Sequence, residues 1–579
     1  SEGRITESGY VVRMTIPFRS LRFSGDSVQT WGIAFQRVIQ RANEEAYWPH
    51  VTKRVTGLVP QFATARGLAG IAPGRNVQLN PYSMAASARV FDDDIPGHVT
   101  QSDQRVGMDA KVVLRGGITL DATVNPDFSQ VETDDPQVTV NQRFEVFRPE
   151  KRPFFIENAG YFQTPVNLFF SRRIVDPGAG ARFTGKMGRW AIGALAMNDR
   201  AALDAGDPAA GLDTWIGAVR LQRELGKEST VGVLVTDREF LRSWKVDRMF
   251  SVDGRWRAGD NWSFTAQLMH SENREHDGAR SAGWGVLGDL SFESRNFEYA
   301  AKYVEFDPSF AAPLGFVSRT GFRRTEHDAE YTFRPDADLV TQFGPAVSLD
   351  VLWDHQSGQV LDRELEAQFQ VELRGNTSLE LVRVEAFERF DGLAFRPWST
   401  QVELRTEWLE WLGFEASYAW GTAVNHSPAD DLLPSLERAT EAEVGVTIRP
   451  TPRLRLEQAL THAELRTSAG ALLVRERQVR GKVNYQFSPR LSIRAIVDWG
   501  ADDADTTRVD EDARERELGA DLLLTYLVHP GTAVYVGYTD RYENVAIEPG
   551  VPPSLVTTAR PELSTGRQVF VKVSYLLRF

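Results

Sequence analysis

The sequence predicts an all-β fold, a large transmembrane antiparallel barrel of about 24–26 strands, and three observations predict it. Segments of two-residue alternation recur along nearly the whole chain. They run to roughly 9–11 residues, the length a tilted strand needs to cross a bilayer, whereas strands of soluble sheets run to about five or six. The mean hydropathy is only -0.33, and no apolar run approaches the roughly 18 residues of a spanning helix. A barrel conceals its membrane signal in this way, because only alternate residues meet lipid.

The elements follow in chain order. Residues 1–72 carry short apolar runs, Gly9 to Phe18, Gln29 to Ile39 and Glu44 to Trp48. They are set apart from a barrel domain at 73–579. In the first long strand, Val106, Met108, Ala110 and Val112 alternate with Arg105, Asp109 and Lys111. The clearest strand sets Leu365, Ala367, Phe369, Val371 and Leu373 against Glu364, Glu366, Gln368, Gln370 and Glu372. Val402 and Leu404 oppose Glu403 and Arg405; Ala442, Val444 and Val446 oppose Glu441 and Glu443; Leu518, Ala520, Leu522 and Leu524 form a further apolar face. In the last strand Val569, Val571, Val573, Tyr575, Leu577 and Phe579 share one side, and Gln568, Lys572, Ser574 and Arg578 share the other. Tight turn signals such as Arg374-Gly375-Asn376 and His529-Pro530-Gly531 alternate with long polar stretches at 501–514 and 544–567, as short turns and long loops do on the two rims of a barrel. Trp190, Trp244, Trp256, Trp262, Trp408, Trp411, Trp420 and Trp499 near strand ends suit interfacial girdles. Barrels of about 16–18 strands already leave an aqueous channel. Something therefore occupies this lumen, or it is an open pore.

A second region lacks any sustained period. It runs from Asn125 through the words Phe144-Glu145-Val146-Phe147-Arg148-Pro149-Glu150-Lys151-Arg152-Pro153-Phe154-Phe155-Ile156-Glu157 to Leu168-Phe169-Phe170-Ser171-Arg172-Arg173. Residues 127–165 are expected to be a plug-like lumenal segment. Asp127, Glu132, Glu145, Arg148, Glu150, Lys151, Arg152, Glu157, Arg172 and Arg173 are its candidate lumen residues. Arginine–carboxylate pairs could pin such a segment to a polar inner wall, with Phe residues as a small core. Glu364, Glu366 and Glu372 are available partners for Arg148, Lys151 and Arg152. The same carboxylates could instead form a substrate or cation site; ion-pair networks are the commoner use.

Asn125–Glu132, Pro149–Glu157 and the surrounding words resemble a family of bacterial outer-membrane proteins of unknown function, whose members join an N-terminal family-9 carbohydrate-binding-like domain to a C-terminal barrel. The resemblance spans about Gly9 to Arg189. It implies that 1–72 is the C-terminal remnant of a β-sandwich, where Trp31, Tyr47 and Trp48 either stack on sugars or pack a core, the commoner role of such aromatics. It carries over no catalytic residue. The end of the last strand, with Tyr575, Leu577 and the aromatic Phe579, resembles the signal by which outer-membrane barrels are recognised for assembly.

Composition narrows the rest. The absence of cysteine excludes disulfides and Cys-ligated metals, and a net charge of -13 without a basic stretch argues against nucleic acid. There is no Gly-x-Ser-x-Gly elbow, no His-Glu-x-x-His pair and no phosphate-cradling loop, and the nine histidines are scattered. No catalytic residue, cofactor or metal is expected. Ser1-Glu2-Gly3 has no initiator Met, so the chain reads as a processed or truncated product. The expected location is the bacterial outer membrane, with lipid and the assembly machinery as partners, and a glycan or a periplasmic or surface protein as further ones. The expected role is a pore, transporter or surface substrate-handling barrel. The alternatives are a closed scaffold barrel anchoring an envelope complex and, third, a barrel-embedded hydrolase.

Overall fold

The structure is a computed structural model, and it describes residues 2–579 apart from 8, 17, 19, 20, 22, 24–26, 40–43, 52–57, 72–75, 93–95, 115–117, 127–140, 201–211, 227, 228, 530, 551 and 552. From Asn76 onward the strands close into one antiparallel barrel of 24 strands. Two wall strands are interrupted. Leu393–Phe395 and Trp398–Leu409 both pair with Thr377–Phe390, and Leu563–Ser574 and Leu577–Arg578 both pair with Asn76–Asp92. That last pairing seals the barrel, with Val90 opposite Gly566 and Leu79 opposite Leu577.

The wall is a meander of hairpins, so strands adjacent in sequence are adjacent in space. One connection differs: Thr119–Val124 pairs directly with Pro177–Met187, although residues 125–176 lie between them. Turns at 188–189, 259–261, 374–376 and 489–490 are short and share a rim with Phe579. The opposite rim carries longer connections, including 307–321, 425–435 and 505–513. In outer-membrane barrels the short turns face the periplasm and the long loops face outward.

The alternation read from the sequence separates two faces. Leu365, Phe369, Leu379, Leu381 and Val402 are exposed on the outside, as are Val569, Val571, Val573 and Tyr575 of the last strand. Phe570 and Lys572, one residue out of phase, are buried inside. Trp190, Trp256, Trp262, Trp408 and Trp411 are exposed at the periplasmic rim, and Trp215, Trp244, Trp284 and Trp420 toward the outer one. These are the two girdles that flank a lipid-facing belt.

Before the barrel, the described residues form three two-stranded pairs: Glu2–Thr6 with Gly9–Arg13, Val28–Ile33 with Ala63–Ala69, and Phe35–Ile39 with Glu44–Trp48. The Trp31 ring packs against Phe18 and Phe23, with centroids 5.9 and 5.3 Å away, while Trp48 is exposed beside Phe35.

Candidate functional site

The site is the lumen and what fills it. The chain leaves the wall after Val124. Asn125 adopts φ 51°, which asparagine tolerates better than most residues, and donates its N–H to the Gly178 carbonyl at 2.6 Å. The Tyr82 hydroxyl donates to the Asn125 carbonyl at 2.8 Å. Gly107 makes this exit possible, since a Cβ there would fall 2.4 Å from the Tyr82 ring and 2.5 Å from that carbonyl. Asp127 and Glu132 lie outside the described residues. The chain is described again at Asn141, also in the left-handed region at φ 57°, whose side chain donates to the Val424 carbonyl and accepts from the His426 N–H at 2.7 Å. A single helical turn at Pro153–Ile156, with proline in its first turn, and 3-10 turns at Ala159–Phe162 and Ser171–Arg173 follow. At the return to the wall, the buried Asp199 carboxylate accepts the N–H groups of Val175 and Asp176.

This segment lies inside the barrel. Its Phe155, Phe162 and Ile174 pack with Leu195, Met197, Ile216 and Ala218 of the wall, and its Leu168 packs with Leu234, Met249, Met269 and Leu287. Those wall residues alternate with Trp215, Val219, Val235, Phe250, Leu268 and Val286, which are exposed on the lipid face. Period two therefore places the contact on the lumenal face. Leu168 and Ile174 are fully buried, and each burial is worth about 1.5–3 kcal/mol. The segment runs to Asp176, beyond the expected 165, because Leu168 to Ile174 belong to its apolar contact.

The candidate charges are organised differently from expectation. The Glu150 carboxylate accepts from the Arg152 N–H (2.8 Å), from Arg152 Nε (2.8 Å) and Nη2 (2.7 Å), and from the Ser171 hydroxyl (2.7 Å). Arg152 also donates to the Ile174 and Ser171 carbonyls and lies over the Phe155 ring. Where wall carboxylates were available to Arg152, these contacts form a knot within the segment. A short internal pair loses less chain freedom than a reach across a wide lumen. Arg173 joins Glu145 at 2.6 Å, and Arg172 donates to the Pro149 carbonyl at 2.9 Å. Lys151 donates its N–H to Glu150, and Arg148 is exposed. Contacts to the wall come from Glu157 with Lys111 and from Arg143 with Asp362 and Glu388. Burial alone would raise the Glu150 carboxyl, but the hydrogen bonds and charge of Arg152, with the Ser171 hydroxyl, outweigh it and hold the group below its ordinary range. The knot is therefore intact at neutral pH and is lost as pH falls through that lowered value. Glu150→Gln is expected to weaken the knot by about 3 kcal/mol. Faster hydrogen exchange over residues 150–175 with unchanged barrel strands would show it; unchanged exchange there would refute it.

Sequence reasoning missed the outer connection 307–321, which folds inward as a clasp. Phe310 is buried and stacks on Phe306 at 4.7 Å, and Leu314 enters the cluster around Ile174. The Phe170 N–H donates to the Leu314 carbonyl (2.7 Å) and the Phe316 N–H to the Asn167 carbonyl (2.8 Å). Phe147, Phe170 and Phe316 form a ring cluster with centroids 5.2–5.5 Å apart. Gly315 permits the approach, as a Cβ there would lie 2.6 Å from the Asn167 carbonyl oxygen. The readable signal was an apolar loop, Phe310-Ala311-Ala312-Pro313-Leu314-Gly315-Phe316-Val317, where a solvated loop would be polar.

The opposite wall is polar. Glu364, Glu366, Glu380, Glu441 and Glu443 face inward without an ion pair among the described residues. A cavity of about 690 Å³ lies on the periplasmic side, lined by Glu403, Glu407, Glu415, Glu443 and Glu457 with Arg405, Arg455, Arg480 and Lys482. A second, of about 550 Å³, lies toward the outer rim between the segment, the clasp and the wall. Among the described residues no helix is long and apolar enough to cross a membrane, and no group of histidines and carboxylates could hold a metal ion.

The pattern of one family, described as a domain of unknown function (DUF5916), matches residues 73–186, which span the first three wall strands, the inserted segment and most of the fourth. The stretch resembling a carbohydrate-binding-like sandwich lies before this match. No curated protein matches the chain's sequence. Among solved structures the chain is similar to the copper transporter OprC, with TM-score 0.46, 10% identity, and 87% of this chain and 80% of that one covered. It is also similar to the siderophore receptor PirA from Pseudomonas aeruginosa (0.44, 10%, 86% and 80%) and to the FrpB iron transporter from Neisseria meningitidis (0.43, 10%, 87% and 81%). With its closed wall, lipid-facing belt and polar interior, the chain is an integral β-barrel of a bacterial outer membrane.

Proposed function

We propose that the barrel is a gated passage across the outer membrane for polar solutes carrying positive charge, with the inserted segment as the gate. The observation that carries this is the pairing of like charges on the uncovered wall. Asp350, which Arg324 also engages, stands directly opposite Glu364, and Glu380 stands directly opposite Glu403, which Arg405 engages. Glu364 and Glu380 are thus left without an ion pair among the described residues. Like charges in register destabilise a sheet, and unpaired charges in a dry interior cost several kcal/mol each. A water-filled lumen removes most of that cost, and carboxylate-lined pores favour cations. The carbohydrate-binding-like words near the N-terminus support a glycan or other polymer as the natural cargo, by analogy alone. The lipid-facing Tyr575 and Phe579 support the terminal strand as the assembly signal. The clasp favours a second reading, a scaffold barrel with a permanently closed lumen.

Planar-bilayer recording separates the two. The purified barrel is expected to conduct, with a reversal potential in a potassium chloride gradient on the potassium side. Glu366→Lys with Glu380→Lys should shift it toward chloride. Silence of both the parent and a variant lacking the segment would establish the scaffold reading.

A further inference from the structure

The outer cavity combines an aromatic and aliphatic floor with one unsatisfied charge, and the charge has a sign. Its floor is made by Val304, Phe306, Phe322 and Leu352 of the wall, by Phe316 of the clasp and by Phe144 of the inserted segment. The inward-facing cations around it are all engaged. Arg143 donates to Asp362 (3.0 Å) and Glu388 (2.9 Å), and Arg319 donates to Asp362 (2.6 Å). Arg324 donates to Asp350 (2.7 Å) and pairs with Glu326 (3.0 Å), which also holds Lys302 (3.0 Å). His426 Nε2 meets Glu388 at 2.7 Å. Arg363 also borders the cavity, but it lies between Asp362 and Glu364 in its strand, so its exposed side chain alternates to the outer face. What remains is Glu364, exposed where it borders the cavity, with no hydrogen bond or ion pair among the described residues. Three arginines and Lys302 face five carboxylates, His426 shares Glu388 with Arg143, and Glu364 is the carboxylate without a partner.

We infer that this cavity binds an amphiphilic cation, a molecule with an aromatic or aliphatic body and an ammonium, iminium or guanidinium group directed at Glu364. At about 550 Å³ the cavity is in the range of ligand pockets, roughly 300–1,000 Å³. Phenyl faces beside a carboxylate attract organic cations through the ring quadrupole as well as through charge. An anion would have to displace a carboxylate from Arg143 or Arg319, and both guanidiniums already lie over the Phe144 ring, at 5.1 and 5.8 Å. A cation needs no such exchange. Because Phe144 belongs to the inserted segment and Arg319 to the region of the clasp, a bound molecule touches both parts that close the lumen.

The inference rests on the proposed passage only in taking the uncovered wall as wetted. Its test reads occupancy rather than passage, so the two fail separately. Ethidium, an aromatic cation, and 8-anilinonaphthalene-1-sulfonate, an aromatic anion of similar girth, are titrated by fluorescence into the full chain in lipid nanodiscs, with empty nanodiscs subtracted. Ethidium is expected to saturate one site. Glu364→Gln should weaken it at least about fivefold. Asp521→Asn, on the far wall, should leave it unchanged. The heat-dependent gel mobility of a folded barrel certifies each variant, and Glu364→Gln keeps the side-chain shape. Equal ethidium affinity in Glu364→Gln, or saturable displacement of ethidium by the anionic dye, overturns the assignment.

Discussion

Replacing Phe369 and Val371 with arginine abolishes accumulation of folded barrel in the outer membrane, whereas arginine at Gln368 and Gln370 is tolerated. Phe369 is exposed on the lipid face beside Leu381 of the neighbouring strand, and Val371 is opposite Leu379. A cation at the bilayer midplane costs about 2–4 kcal/mol on that face. Two in one strand cost several kcal/mol, comparable with a typical folding free energy of roughly 5–15 kcal/mol. Gln368 and Gln370 face the lumen, where water solvates a guanidinium and Glu366, Glu372 and Glu380 are close enough to neutralise it. Heat-dependent gel mobility of outer-membrane fractions reads the result. Equal tolerance of both pairs would contradict the orientation of the wall.

The second large effect is expected from deleting residues 127–165 while both flanking strands are kept. The deletion strips Phe155 and Phe162 from Leu195, Met197, Ile216 and Ala218, and removes the Glu150–Arg152 knot. Single-channel conductance should rise several-fold and lose charge selectivity, because the pore then takes the width of the wall. A gentler companion is Gly315→Val, which drives a side chain into the Asn167 carbonyl and should release the clasp while leaving the segment's own knot intact. It should raise the open probability without changing the maximal conductance. A folded deletion variant with parental conductance would mean that the segment does not set the opening.

Legibility followed the range of the interactions. The strand of Glu364 to Leu373 was readable because lipid and water sort alternate side chains locally, and each strand repeats the test independently. Strand number and the two rims follow from the same signal. The interior was less readable because its partners are distant in sequence. Nothing in Asn141 announces Val424 and His426, and nothing in Phe170 announces Leu314. Even the short-range knot was left unassigned. Glu150 and Arg152 look like two members of a diffuse charged run until Ser171 and Ile174 arrive to complete it. The clasp left an apolar loop as its mark, which an all-strand reading passes over.

The position of the insertion also orders events in time. Its two ends leave and rejoin the wall at neighbouring points, Val124 and Ala179 being directly paired, so the ends of this long excursion are already brought together by the pairing of two adjacent wall strands. Most of the entropy of closing such a loop is spent in the wall pairing and not in docking the loop. In chain order the excursion precedes 21 of the 24 wall strands, while the seam joins the first strand to the last. This order lets the wall curl around a filling that is already present, with no step of threading through a finished ring. A filling anchored at both ends also cannot be expelled as a detachable cork. Any opening of this lumen is a rearrangement of a tethered loop, reversible by construction, and its amplitude is bounded by the two strands that hold it.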